Sequence, residues 1–237
     1  MIIEKPNPNL KLTRPAVIID TELEPKPKPP LPHKNGFAIA IVGAPGSGKS
    51  SVLFSLIKSR DAYRKRFHKV IAVIPSSSLD SLKSNPLKDL PDEQRFEDLT
   101  FDSLEEIVEM VEENREDELL TLLLLDDVSA ELQDPIILKK MMRLYLNRRH
   151  LKLSIISIAH SLTGKGALPY TIRKNLSHLI LFKPSSSLDI LNSDFLHMPK
   201  DKFKELTDYV YKDPHDHLMI ELNRNKLYKN FNALTLK

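Results

Sequence analysis

The chain has 237 residues, 41% of them apolar and 28% charged, with a formal net charge of +3. That length and apolar share suit one large α/β domain or two small ones around a substantial core, and the absence of cysteine excludes disulfides and thiolate metal sites. Apolar runs are strand-sized and the N-terminus carries charge and proline, so nothing marks secretion or membrane insertion; a soluble intracellular protein is expected, and +3 alone is too small a charge to argue for nucleic acid.

Residues 1–34 hold 8 of the 17 prolines and end in Glu24-Pro-Lys-Pro-Lys-Pro-Pro-Leu-Pro32. Such a segment favours extended polyproline conformation and predicts an arm reaching a neighbouring molecule, with residues 35–237 as the folded domain. Ala16-Val-Ile-Ile19 could add a short edge strand.

Phe37-Ala-Ile-Ala-Ile-Val42 reads as a buried strand, followed by Gly43-Ala-Pro-Gly-Ser-Gly-Lys-Ser50 and an amphipathic segment. The G-x-x-x-x-G-K-[ST] spacing allows the backbone to form a nest of N–H groups around phosphate oxygens at the positive end of a helix. The stretch Gly43, Ala44, Pro45, Gly46, Ser47, Gly48, Lys49, Ser50 and Ser51 is therefore expected to bind a nucleotide. Lys49 would reach the β- and γ-phosphates and Ser50 would ligate Mg²⁺. Val52, Leu53, Leu56 and Ile57 give the helix a face to bury.

A basic turn, Arg64-Lys-Arg66, leads to a second buried strand, Val70-Ile-Ala-Val-Ile74, and Ser76-Ser-Ser78 then reads as a helix cap. From Lys88 to Glu118 there are 14 acidic and 3 basic residues. Within them Ser103-Leu-Glu-Glu106 predicts a capping box for a helix ending near Asn114. Leu119-Leu-Thr-Leu-Leu-Leu-Leu125 is a strand that delivers Asp126 and Asp127 at its carboxyl end. Opposite a phosphate loop, one carboxylate would hold the metal and the other would orient and deprotonate the attacking water; Asp126 is assigned to the metal and Asp127 to the base.

Asp134-Pro135 caps a helix whose apolar face is Leu138, Met141, Met142 and Tyr145 and whose other face carries Lys139, Lys140 and Arg143. From Ile136 to Lys152 there are 6 basic residues and no acidic ones, so charge is segregated along the chain. The basic stretch could meet an acidic edge of a neighbouring subunit or line a channel for DNA. Leu151-Lys-Leu-Ser-Ile-Ile-Ser-Ile-Ala159 is a further buried strand ending at His160, where a polar side chain can sense the γ-phosphate or hold the attacking water.

Gly164-Lys-Gly166 predicts a flexible loop with Lys165 at its tip, followed by a short helix over Leu168–Asn175 and a fifth strand, His178-Leu-Ile-Leu-Phe182. Ser185-Ser-Ser-Leu-Asp189 reads as the cap of a further helix. His217 to Phe231 reads as two strands joined at Asn223-Arg-Asn225. His215 and His217 alternate near Asp213, but no further ligand spacing supports a metal site there.

The ordered set of phosphate loop, extra strand, Leu-Leu-Leu-Leu-Asp-Asp, Asn147-Arg-Arg-His150 running through to His160, and Pro169-Tyr-Thr-Ile-Arg-Lys-Asn175 resembles the FtsK/HerA superfamily of DNA-pumping ATPases. Within it the pattern is similar to the poxvirus-type genome-packaging ATPases of large DNA viruses and virophages, over about Phe37 to Phe231. The resemblance implies a RecA-like α/β P-loop NTPase of ASCE type, its mainly parallel sheet flanked by helices and ending in a β-hairpin. It implies assembly into a homo-oligomeric ring with a capsid or vertex protein as partner, and ATP hydrolysis driving double-stranded DNA into a preformed capsid in an infected cell. It makes Lys49, Asp127 and His160 catalytic, with His160 where the family usually carries glutamine. It also implies an arginine finger donated across a subunit interface, for which Arg148, Arg149 and Arg173 are candidates. Arg148, Arg149 and Lys165 are in addition expected pore or interface contacts. Other readings are an ATP-binding capsid-vertex scaffold, a DNA pump of a mobile element and a small-molecule kinase; a GTPase is disfavoured because no Asn-Lys-x-Asp follows a buried strand.

Overall fold

The computed structural model describes residues 2–5, 26–76, 78, 85–164, 166–184 and 188–236. The apolar runs form a row of parallel strands: β2 (Ala38–Val42), β3 (Lys69–Val73), β5 (Thr121–Asp126), β6 (Leu153–Ala159) and β7 (His178–Phe182). Nearly all their residues are buried, as expected for parallel strands covered on both faces. A two-residue strand, β4 (Arg95–Phe96), extends the row beside β3.

Side chains alternate across the sheet and serve two cores. Ile39 and Ile41 of β2 point to the face covered by α1 (Lys49–Lys58), through Leu53, Phe54 and Leu56. Ala38, Ala40 and Val42 point to the other face. That face is covered by α2 (Phe101–Glu116), α3 (Pro135–Asn147), the short α4 (Tyr170–Arg173) and, beyond the single turn α5 (Asp189–Leu191), α6 (Lys200–Val210).

The tail adds antiparallel strands β8 (His217–Glu221), β9 (Lys226–Lys229) and β10 (Asn232–Leu236). The expected hairpin is present, turning through Asn225 at φ +50°. The sequence reading ended there, but a second turn, with Asn230 and Phe231 both at positive φ, sends the chain back as a third strand. The first residues form β1 (Ile2–Lys5), which pairs antiparallel with β10. Among the described residues the sheet runs β1-β10-β9-β8-β7-β2-β6-β5-β3-β4. Leu31 is buried and Lys28 pairs with Asp61 at 2.8 Å, so residues 26–34 lie along the body of the domain. Ala16–Ile19, Lys165 and Ser185–Ser187 lie outside the described residues, as does most of the segment after Ser76.

One helix start differs from expectation. The cap of α2 is Thr100, whose side chain accepts from Ser103 N at 3.1 Å while the Ser103 hydroxyl accepts from Thr100 N at 2.9 Å. Ser103 is thus the third residue of the helix. The reciprocal pair satisfies two amide donors and adds a turn that a cap at Ser103 would forfeit. No helix among the described residues is long and apolar enough to cross a membrane.

Candidate nucleotide site

The parallel strands bring four expected residues to one end of the sheet. β6 lies between β2, which feeds the phosphate loop, and β5, which carries the acidic pair. In this order the ends of β2, β6 and β5 present Gly43, His160 and Asp126-Asp127 side by side.

The loop's shape depends on its glycines. A Cβ on Gly43 would sit 2.7 Å from Cβ of Phe182 and 2.7 Å from Ser47 Oγ, so only glycine fits. Gly46 and Gly48 hold φ of +76° and +108°, where side chains are strained. Gly48 caps α1 without a side-chain acceptor, and no acidic residue occupies the helix's first turn. Its free amides and positive dipole end face the loop, as an anion site requires. Ala44, Pro45, Gly46 and Ser47 form the rim, while Ser50 and Ser51 stand in the first turn of α1.

Lys49 is 93% buried, and its ammonium donates to Gly43 O at 2.8 Å and Ala44 O at 3.0 Å. Burial lowers its proton affinity, and Asp126 and Asp127 oppose that by attraction. Burial likewise raises the Asp126 carboxyl; a hydrogen bond from Ser78 lowers it and the neighbouring Asp127 charge raises it, with Lys49 and His160 lowering it more weakly. Ser78, read from the sequence as part of a helix cap, is therefore a partner of this carboxylate.

Asp127 sits just past β5 with φ +57°, in the left-handed region that costs a residue other than glycine energy and recurs at functional sites. The bend turns its side chain toward β6, where His160 Nε2 lies 3.1 Å from Asp127 Oδ1. His160 Nδ1 is buried with no partner, and Nε2, the nitrogen facing the carboxylate, donates to Asp127. The loop after β6 folds back to hold this histidine. His160 N donates to Gly166 O at 3.1 Å, and Ser129 Oγ donates to the same carbonyl at 3.2 Å. Gly166 thus acts as a support, where the sequence suggested only loop flexibility.

Three arginines named as finger candidates are not brought to the loop within one chain. Arg173 donates to Leu162 O at 2.7 Å and Leu168 O at 3.1 Å and pairs with Asp194 at 2.9 Å. Arg148 donates to Gly36 O at 2.8 Å and to Tyr145 O, at the opposite end of the sheet. Arg149 is exposed beside it. A residue the motif reading missed is His215, whose Nδ1 lies 3.0 Å from Ser47 O. Only the antiparallel pairing of β8 with β7 carries it there, so no local signal could have found it.

A profile of the poxvirus A32 protein family matches residues 31–208. No curated protein sequence is significantly similar. Among solved structures, the genome packaging NTPase B204 of Sulfolobus turreted icosahedral virus 2, in complex with ATP-gammaS, superposes with a TM-score of 0.58 at 13% identity, over 82% of this chain and 96% of that one. The DNA-packaging ATPase B204 of Sulfolobus turreted icosahedral virus gives 0.59 at 10% identity, over 83% and 97%. EssC (ATPases 2 and 3) of Geobacillus thermodenitrificans gives 0.55 at 18% identity, over 97% of this chain and 46% of that one. At these identities the likeness shows the fold. Phosphate loop, strand order and family match together mark a P-loop ATPase.

Proposed function

The chain belongs to the poxvirus A32 protein family, and on that premise we propose that it is an ATP-hydrolysing motor, assembled as a homo-oligomeric ring, that packages double-stranded DNA into a preformed capsid in an infected cell. The observation that carries the hydrolytic reading is the 3.1 Å contact between His160, just past β6, and Asp127, just past β5, next to the phosphate loop that follows β2. The structural likeness to viral packaging ATPases supports the setting.

In this reading Lys49 exchanges its two carbonyl acceptors for β- and γ-phosphate oxygens when ATP enters the loop. Asp127 accepts the proton of the attacking water, and His160 fixes that carboxylate through Nε2–H while facing the γ-phosphate position. The donor set suits Mg²⁺, a hard cation that takes oxygen ligands: the Ser50 hydroxyl and the Asp126 carboxylate would hold it, and the charge crowding of Asp126 with Asp127 favours a cation there. Bound Mg²⁺ would neutralise charge on the β- and γ-oxygens. None of Arg148, Arg149 and Arg173 has a contact with the phosphate loop of its own chain, so in this reading the arginine that reaches the γ-phosphate comes from a neighbouring subunit and activity requires assembly.

The test is ATP turnover at rising protein concentration, with and without long double-stranded DNA, in wild type, Lys49→Ala and Asp127→Asn. Turnover that rises with assembly and with DNA, and drops by roughly a hundredfold or more in both variants, is the expected result. Nucleotide binding without turnover in a confirmed assembly would instead assign the chain to a capsid-vertex scaffold and make Asp127 structural.

A further inference from the structure

The end of the sheet opposite the phosphate loop holds a cavity of about 590 Å³, walled by residues 29–37, the Arg148-Arg149 pair after α3, and the β8–β9 turn with Arg224 and Lys226. Its floor is apolar, from prolines, Phe37 and Tyr228, and its walls are cationic. Glu221 is the one carboxylate among its lining residues and pairs with Arg224 at 3.3 Å. Among the described residues Lys34, Arg149 and Lys226 have no ion-pair partner. Arg66 joins the rim through a 3.3 Å hydrogen bond to Asn35.

Two features mark this as more than a solvated basic surface. Arg148 is half-buried with carbonyl acceptors and no carboxylate, beside a second guanidinium. Burial first, and the Arg149 charge next, lower its hold on its proton, an imbalance that an anion entering the cavity would relieve. Gly36, at φ +78°, lies so close to Arg149 that a Cβ there would meet its Cγ at 2.8 Å and its Cα at 2.9 Å. The backbone is thus fitted around this arginine. His178 also lines the cavity and is held neutral, with its pKa lowered to about 4 by burial and then by Arg224, so the positive charge comes from arginine and lysine.

We propose that this cavity is a binding site for the phosphodiester backbone of nucleic acid, with Lys34, Arg149, Arg224 and Lys226 as a clamp drawn from three separate elements. The inference rests on the packaging reading for the identity of the polyanion. Lysines and arginines around an apolar floor hold phosphate without reading bases, as a motor that must tolerate every sequence requires. It also places the nucleic-acid contact a full strand length from the nucleotide, with β2 and β6 running from one site to the other.

The experiment is the affinity of the full chain for a short labelled duplex, measured against salt with a non-hydrolysable ATP analogue present, in wild type and in the Lys34→Glu/Lys226→Glu double variant. Sedimentation on the same samples reports assembly, and binding of a fluorescent ATP analogue reports folding. The expected result is affinity at least about tenfold weaker, a salt dependence shallower by about one power per lost phosphate contact, and unchanged binding of the ATP analogue. DNA affinity equal to wild type would overturn the proposal while leaving the packaging reading intact. Retained DNA affinity with lost assembly would overturn it too, assigning the cavity to an acidic face of a neighbouring subunit. A wild type that assembles yet binds no duplex would overturn both this site and the packaging reading.

Discussion

At the scale of single residues the site is built from groups held away from their preferred charge states. Asp126 is raised by burial and by Asp127, and Lys49 is lowered by burial, so the site is tuned for phosphate and a cation. Behind the loop runs a second buried group. The His217 ring lies 5.2 Å from Phe182 and 5.0 Å from Phe231, and Phe182 touches the positions a Cβ would take on Gly43 and Gly48. Neither His217 ring nitrogen has a hydrogen-bond partner, and burial lowers its pKa to about 4; His178, buried at the other end of the sheet, is lowered equally far. Both are neutral in the fold but protonate near pH 6.5 when unfolded, so the unfolded chain binds more protons between about pH 4 and 6.5. Stability should therefore rise with pH across that window, by up to about 3 kcal/mol per histidine. Asp126 works in the opposite direction above the ordinary carboxylate range, because its folded-state pKa is raised. Replacing His217 by Phe removes two unsatisfied nitrogens from an aromatic stack. Urea midpoints compared at about pH 5 and about pH 7 should then show a gap roughly half that of wild type. An unchanged gap would mean that His217 already exchanges protons freely in the native protein.

At the scale of elements, α3 offers the clearest measurement. Asp134 Oδ1 accepts from Ile136 N at 2.7 Å and from Ile137 N at 3.2 Å, and Pro135 removes a third donor. Asp134→Ala should cost about 1 kcal/mol, lowering Tm by roughly 2–4 °C for a domain of this size, while Asp134→Ser should restore most of it. A calorimetric scan in which alanine and serine behave alike would show that packing alone fixes the start of α3. This cap was legible because aspartate and proline precede an apolar periodicity, and β2, β3, β5, β6 and β7 were legible because buried parallel strands read as unbroken apolar runs. His160 and Asp127 could be placed together for the same reason, since neighbouring parallel strands end at the same edge. The α2 cap was misplaced by three residues because Thr100 and Ser103 are both good caps, and the choice between them depends on which lets the helix gain a turn. Strands β1, β4 and β10 were missed: β4 is two residues long, and β1 and β10 are only partly buried and find each other from opposite ends of the chain. The contacts of Ser78 with Asp126 and of His215 with Ser47 were illegible for the same reason, being products of topology alone.

At the scale of the whole molecule the sheet has to end somewhere, and its two edges are managed differently. Beside β3 the edge is β4, too short to template another strand, with Arg95 tied to Asp92. At the other side β1 closes the antiparallel half. Its Glu4 accepts from Tyr209 Oη of α6 at 2.7 Å and from Asn232 Nδ2 of β10 at 2.7 Å, so one side chain joins edge strand, neighbour and covering helix. Lys5 puts a charge at the end of the strand. Without β1, β10 becomes the edge, with Ala233 to Leu236 offering unpaired backbone groups and partly buried leucines to any passing strand. Deleting residues 1–5 should therefore lower Tm by a few degrees and make the loss of protein on heating depend on concentration. The phosphate loop should be spared, because four strands lie between β1 and β2 in the sheet and the two share no contact that positions Gly43 or Lys49. Binding of an ATP analogue at low temperature is then expected at wild-type affinity, and a Glu4→Gln variant should retain the strand and show only a fraction of the thermal loss. If the deletion instead left Tm and aggregation unchanged, β1 would contribute nothing to the body of the sheet, and its pairing with β10 would be dispensable to the fold.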